Sequence, residues 1–247
     1  MDFFRIALYI VFGILPSLVW LLYYLRKDLH PEPKKMIITI FLLGCLMTIP
    51  AFLIQVGLTA LLQQLQLYPF FGANPLALSI LKWFIAIAFV EEFLKYLVVK
   101  MNVLGSYVVD EPLDIMLYMV VAALGFTAVE NLLYLLPINN LSASTVITTT
   151  ILLSFVRFIG ATFLHTLCAA LVGYFVAIAS LKKRKELLLT VVGLGLSTLF
   201  HGLYDFSIVV LDKPLDIIIP VAIILILAAF MLYDFDGMKK IKSICKI

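Results

Sequence analysis

The sequence predicts an all-α, polytopic membrane bundle of about seven transmembrane helices. Of its 247 residues, 64% are hydrophobic and only 13% are charged, whereas a soluble domain is usually about 45–50% apolar and about 25% charged. The mean hydropathy is +1.14. The apolar residues are gathered into runs of about 20 or more, the length that crosses a bilayer core as a helix. This composition excludes a disordered chain, an ordinary water-soluble enzyme and nucleic-acid binding as a main role.

Seven runs stand out: 4–25, 36–60, 78–100, 113–136, 147–180, 187–210 and 215–233. The first ends in Arg26-Lys27, which reads as a membrane boundary, and lacks the small-residue cleavage pattern of a signal peptide. The fifth is long for one crossing, which implies tilt or a short interfacial helix near Ser142–Thr150. Short loops, with no repeat and no linker, leave a single membrane-embedded domain over 1–247. Paired motifs of an inverted-repeat transporter are missing.

Sorting the 18 basic residues orients the bundle. Arg26, Lys27, Lys34, Lys35, Lys100, Lys182, Lys183, Arg184, Lys185, Lys239, Lys240, Lys242 and Lys246 all fall on one side of a seven-span chain. The other side holds only Arg5 and Lys213. The positive-inside rule then places the N-terminus outside and the C-terminus in the cytoplasm of a cell inner (plasma) membrane. The net charge of +3 describes loops and tail facing anionic lipid. Cys45 and Cys168 read as small hydrophobes inside spans, and no CxxC pair exists.

What remains is a set of polar residues inside the apolar runs. Each costs roughly 2.5–3.5 kcal/mol at mid-bilayer on insertion scales, so its default reading is functional. In Glu91-Glu92-Phe93-Leu94-Lys95, Lys95 lies one turn after Glu91 on the same helix face. A structural ion pair needs one glutamate; the second points to a carboxylate that works on water. Glu130-Asn131 places another carboxylate beside an amide in the fourth run. Arg157 and His165 follow in the fifth, eight residues apart and near one face. His201 and Asp205, at i and i+4 in the sixth, share a face and suit one metal, one water or a His–Asp hydrogen bond.

On the expected topology these groups come together at mid-depth or slightly toward the outer side. Glu130, His165, His201 and Asp205 form a ligand set for a divalent metal such as Zn2+, with a glutamate as base. Without metal, the same set supports a glutamate-activated water, with His and Asp or Asn131 as oxyanion donors. The substrate that suits water-consuming chemistry in a bilayer is the peptide bond of a membrane-anchored protein.

Glu91-Glu92-x-x-Lys95, Gly125-Phe126-x-x-x-Glu130-Asn131, Arg157 with His165, and His201-Gly202-x-x-Asp205-Phe206 together resemble the ordered motifs of the PrsW intramembrane proteases. That family sits within the superfamily of CAAX prenyl proteases and bacteriocin-processing or immunity proteins. The resemblance covers about residues 85–210, and the Lys95 and Glu130 positions fit the PrsW branch better than the CAAX branch. Where the family pattern carries glycines after Asp114 and Tyr118, this chain has Ile115 and Met119. The resemblance implies site-1 cleavage of a membrane-anchored anti-sigma factor on its extracytoplasmic side, beginning the release of a stress sigma factor. It implies catalytic roles for Glu91 and Glu92, with Lys95 and Asn131 beside them, and site roles for Glu130, His165, His201 and Asp205. Two other classes fit the bare residues: a proton- or ion-coupled transporter using buried Glu, Lys and His, and a non-catalytic immunity-type membrane protein.

Overall fold

The computed structural model describes residues 3–27, 30–106, 108–140, 143–181 and 185–238. Among them there is no strand. The helices are α1 (Phe3–Leu25), α2 (Lys34–Leu65), the short α3 (Pro69–Gly72), α4 (Pro75–Ile80), α5 (Val90–Asn102), α6 (Pro112–Leu135), α7 (Ala143–Ile159), α8 (Ala161–Leu181), α9 (Glu186–Val210) and α10 (Leu215–Met238). Between α4 and α5, residues Leu81–Phe89 continue the helix in the wider i→i+5 turn. Such turns are rare and frequently occur at functional sites; here they lead directly into Glu91 and Glu92.

Six helical segments are long and apolar enough to cross a membrane: Phe3–Leu25, Lys34–Leu65, Pro112–Ile138, Ser144–Leu181, Glu186–Val210 and Leu215–Tyr233. The seventh expected span is helical from Pro75 to Asn102. It carries Lys82, Glu91, Glu92, Lys95 and Lys100, so it is not apolar enough to pass by composition. Of those charges, Glu91, Glu92 and Lys95 are the ones the other helices enclose. The long fifth run resolves into α7 and α8, separated at Gly160. Arg157 and His165 therefore lie on two helices rather than one face of a single helix. The basic tail and Cys245 lie outside the described residues, as do Lys182 to Arg184.

α6 is the central helix; nearly its whole length is buried, as its all-round apolar sequence requires. It starts at Pro112, where the missing N–H costs nothing, and Asp114 accepts the Glu111 and Asp110 backbone N–H groups at 2.7 and 3.0 Å. Its neighbours approach through small residues, the usual device for helices in lipid. A Cβ on Gly44 of α2 would lie 2.1 Å from the Ala122 oxygen; one on Gly125 would lie 2.0 Å from the Phe41 oxygen. On the other side, Gly173 of α8 faces the Met116 backbone at 2.6 Å on the same measure. α1 runs antiparallel to α6, joined by Ser17 Oγ and Thr127 Oγ1 at 3.1 Å. α7 and α8 follow α1 in parallel: Ser154 donates to the Phe12 carbonyl at 2.7 Å and Trp20 to that of Phe158 at 3.0 Å. The outer surface exposes large apolar side chains such as Phe52, Leu53, Leu225 and Leu232, a surface that suits lipid and not water.

Replacing Gly125 by Val should force α2 from α6, at a cost of about 1–3 kcal/mol or more. The thermal midpoint in detergent should fall by several degrees. Gly57→Ala, with nothing within 4 Å of the added carbon, should leave it unchanged. Equal effects from the two variants would contradict the packing described.

Candidate active site

Five of the expected site residues, Glu91, Glu92, Lys95, His165 and His201, share one centre built on Lys95. This lysine is fully buried on α5. Its ammonium donates to Glu92 Oε1 at 2.8 Å and to His165 Nδ1 at 2.5 Å, and lies 3.5 Å from Glu91 Oε2. The face of Phe126 lies 4.8 Å away. An ammonium offers only protons, so the His165 nitrogen facing it is the one with the lone pair. The other ring nitrogen, Nε2, faces Glu130 Oε2 at 3.1 Å, a contact of a neutral ring that is not a straight hydrogen bond.

Glu92 is fully buried and has all its oxygens engaged. Oε1 receives Lys95 and, at 2.9 Å, His201 Nδ1; Oε2 receives Ser197 Oγ at 3.0 Å. The Nδ1 proton of His201 is thereby directed to Glu92, and Nε2 is left for the site. That nitrogen lies 3.4 Å from Asp205 Oδ2 and 4.0 Å from Glu91 Oε2. The two imidazole rings stand edge to face, 4.7 Å apart. Each is backed by a carboxylate, the arrangement that fixes the tautomer and orientation of a metal- or water-binding histidine.

Glu91, like Glu130, keeps one buried carboxylate oxygen without a hydrogen-bond partner. Oε1 accepts from Gln55 Nε2 at 3.0 Å, while Oε2 is buried without a hydrogen-bond partner. That oxygen lies 3.9 Å from His165 Nδ1 and 4.0 Å from His201 Nε2. One donor each from Glu91, His165 and His201 falls within a 4.8 Å span.

The expected catalytic and ligand residues therefore separate by position. Glu91, Glu92, Lys95, His165 and His201 share one centre, and Asp205 borders it on the His201 side. Glu130 stands behind His165 and is anchored by Arg157 NH2 at 3.2 Å. Asn131 faces away from Glu91: its Oδ1 accepts from Arg157 Nε at 2.5 Å, and its Nδ2 donates to Thr162 at 3.0 Å. The Arg157 guanidinium stacks 3.9 Å above the Tyr134 ring. Gln55 and Ser197 were not among the expected residues, although each bonds directly to a site carboxylate. Ser197 had a weak signal, one turn before His201 on the same face; Gln55 had only its polarity within an apolar run.

This donor set fits a divalent cation bound by nitrogen and oxygen: His165 Nδ1, shared with Lys95, and His201 Nε2 lie 3.9 and 4.0 Å from a buried Glu91 oxygen that has no hydrogen-bond partner. Ligand atoms on a tetrahedral ion with bonds of about 2.0–2.1 Å lie about 3.3–3.4 Å apart. The Asp205–His201 separation of 3.4 Å matches that edge, while Glu91 Oε2 stands about half an ångström wider of both nitrogens.

Carboxylates and oriented imidazoles held by helices within an apolar bundle suit a multi-pass membrane hydrolase. A family model described as "PrsW family intramembrane metalloprotease" matches residues 32–233, and the chain belongs to that family. It is 29% identical over 197 residues to Protease PrsW of Oceanobacillus iheyensis, covering 78% of this chain and 80% of that one. It is 28% identical to Protease PrsW of Geobacillus kaustophilus, covering 81% and 80%, and 28% identical to that of Bacillus subtilis, covering 86% and 88%. No solved structure matches. The chain is thus an intramembrane endopeptidase of the inner membrane, and the carrier and immunity-type readings give way.

Arg157→Ala should cost about 3 kcal/mol or more of unfolding free energy in mixed micelles, by leaving Glu130 without its buried partner. Arg157→Lys should recover less than half of it, since an ammonium cannot bridge Glu130 and Asn131 while stacking on Tyr134. Full recovery by lysine would contradict the clamp.

Proposed function

We propose that the chain hydrolyses a peptide bond of a membrane-anchored protein by a water held between Glu91, His165 and His201. The observation that carries this is Glu91 Oε2, buried without a hydrogen-bond partner and 3.9 and 4.0 Å from His165 Nδ1 and His201 Nε2. In this reading Glu91 takes the proton of the attacking water and returns it to the leaving amide nitrogen, the general acid–base role of a positioned carboxylate. Glu92 is the positioning partner: it orients His201 and holds Lys95. Glu130 orients His165, and Arg157 with Asn131 fixes Glu130. Lys95 places positive charge beside both α5 carboxylates and steadies Glu91 as its protonation changes.

His165 Nδ1, His201 Nε2 and Asp205 would hold a divalent ion such as Zn2+, with Glu91 next to it and Glu130 behind His165. Such an ion, when bound, supplies Lewis acidity to the water and to the scissile carbonyl. The protein excludes bulk water around the reacting atoms, which strengthens every charge–dipole contact there.

The asymmetry of basic residues supports an N-terminus outside and a cytoplasmic C-terminus. With that orientation the site leans toward the extracytoplasmic side: Glu130 lies about 7–8 Å along the helix axis from the end of α6 at Leu135. His165 is four residues into α8, near the same end. A site at that depth suits first cleavage of a membrane-anchored anti-sigma factor, the substrate class implied by the resemblance, and so a role in stress signalling.

Glu91→Gln should reduce cleavage of a reconstituted single-span anti-sigma factor by about a thousandfold or more, with insertion and thermal midpoint unchanged. Undiminished cleavage by that variant would sink the mechanism. Cleavage of other single-span proteins but of no anti-sigma factor would sink the substrate assignment.

A further inference from the structure

The cation place in this site is contested by the protein's own side chain. Lys95 Nζ lies 2.5 Å from His165 Nδ1, the nitrogen whose lone pair would bind an ion. The other His165 nitrogen is turned to Glu130, so the ring has no second lone pair to offer without giving up that contact. A nitrogen lone pair serves one partner at a time. An ion at His165 therefore requires the Lys95 contact to break. The ammonium and the ion also repel, and burial leaves little water to screen them.

From this we infer that Lys95 is a tethered competitor for the cation: it occupies His165 Nδ1 in the empty site and gives it up when a divalent ion binds. The inference rests on the reading of His165 and His201 as the nitrogen pair of the site. The lysine has somewhere to remain after displacement. Glu92 Oε1 holds it at 2.8 Å, Glu91 Oε2 is 3.5 Å away, and the Phe126 ring faces it at 4.8 Å. The contact shifts, while the α5 ion pair stays. The consequence is that this protein binds its cation more weakly than its donors alone would allow. The site keeps a positive charge in place when no ion is present, so Glu91 and Glu92 are never left as bare neighbouring carboxylates in the bilayer. Lys95 acts here as a positioning residue, through His165, and its contribution is read in binding rather than in turnover.

The test is titration of the purified, full-length protein in detergent micelles with Co2+, followed by visible absorption and by calorimetry. Lys95→Met keeps the length of the side chain and removes its charge. It should tighten cobalt binding about tenfold or more, given the loss of an adjacent buried charge. Lys82→Met serves as the control. It removes a lysine about two helix turns before Glu91, stacked on Trp83, and should leave the dissociation constant unchanged. Lys95→Met strands a buried Glu92, so the double variant Lys95→Met/Glu92→Gln is measured alongside it. It removes both members of the ion pair, and it too should bind cobalt more tightly than the unaltered protein. Unchanged or weaker binding in both Lys95 variants, with the unaltered protein still binding cobalt at its nitrogen donors, would overturn the competition and leave the metal reading intact. No cobalt binding in any variant would overturn both.

Discussion

The structure depends on one buried cation. Lys95 has no access to solvent, and a lone ammonium in that position would carry a desolvation cost that the fold could not absorb. Its contacts to Glu92, Glu91 and His165 remove most of that cost and, in the same stroke, set the direction of each group. Because Lys95 only donates, His165 must present a lone pair to it. Because Glu92 only accepts, His201 must present Nδ1–H to it. The two histidines are thus turned so that Nδ1 of one and Nε2 of the other look toward Glu91. The orientation of the reacting groups follows from neutralising a charge that the membrane would otherwise not tolerate.

The helices around this cation are arranged to make its burial feasible. α6 lies at the centre because it is apolar all round, and α2 and α8 close on it where Gly44, Gly125 and Gly173 leave room for backbone contact. The segment Leu81–Phe89, wound in wider turns, rephases the helix before Glu91, and Phe84 from it occupies the place a side chain at Gly202 would fill. Around the inner set lies an outer one. Glu130 backs His165, Arg157 holds Glu130 and Asn131 holds Arg157. Ser197 completes Glu92, and Gln55 engages one oxygen of Glu91 and leaves the other without a hydrogen bond. A peptidase in a bilayer has to bring water to a place that excludes it; a Glu91 oxygen without a hydrogen-bond partner, close to both site histidines, is a small, specific attraction for it.

Much of this was legible in the sequence. Apolar run length marks the helices, and the charges that interrupt the runs mark the site, because in lipid a charge without a purpose is selected against by its insertion cost. The i, i+4 spacing placed Lys95 on the face of Glu91 and His201 on that of Asp205, but the hydrogen bond of Lys95 goes to Glu92 at 2.8 Å, with Glu91 farther off at 3.5 Å. Three things were not legible. The break at Gly160 puts Arg157 and His165 on separate helices, and nothing in an apolar stretch announces it beyond the glycine. Spacing along one chain cannot tell which carboxylate is saturated by neighbours, so Glu91 and Glu92 looked alike until Ser197 and His201 were seen on Glu92. Gln55 and Ser197 reach the site across more than thirty and more than a hundred residues of sequence, a distance at which only the packing of helices decides contact. Asn131 looked like a site residue for its position beside Glu130, yet a helix turns neighbouring residues about 100° apart, and its amide serves Arg157 and Thr162 instead.

The measurement that tests the central claim most directly is a high-resolution density map of the purified protein in lipid. The account predicts one solvent or cation peak bounded by Glu91 Oε2, His165 Nδ1 and His201 Nε2, with Glu92 closed off by Lys95, Ser197 and His201. A dry space there, or a peak bound instead by Glu92 with Glu91 fully paired, would contradict it.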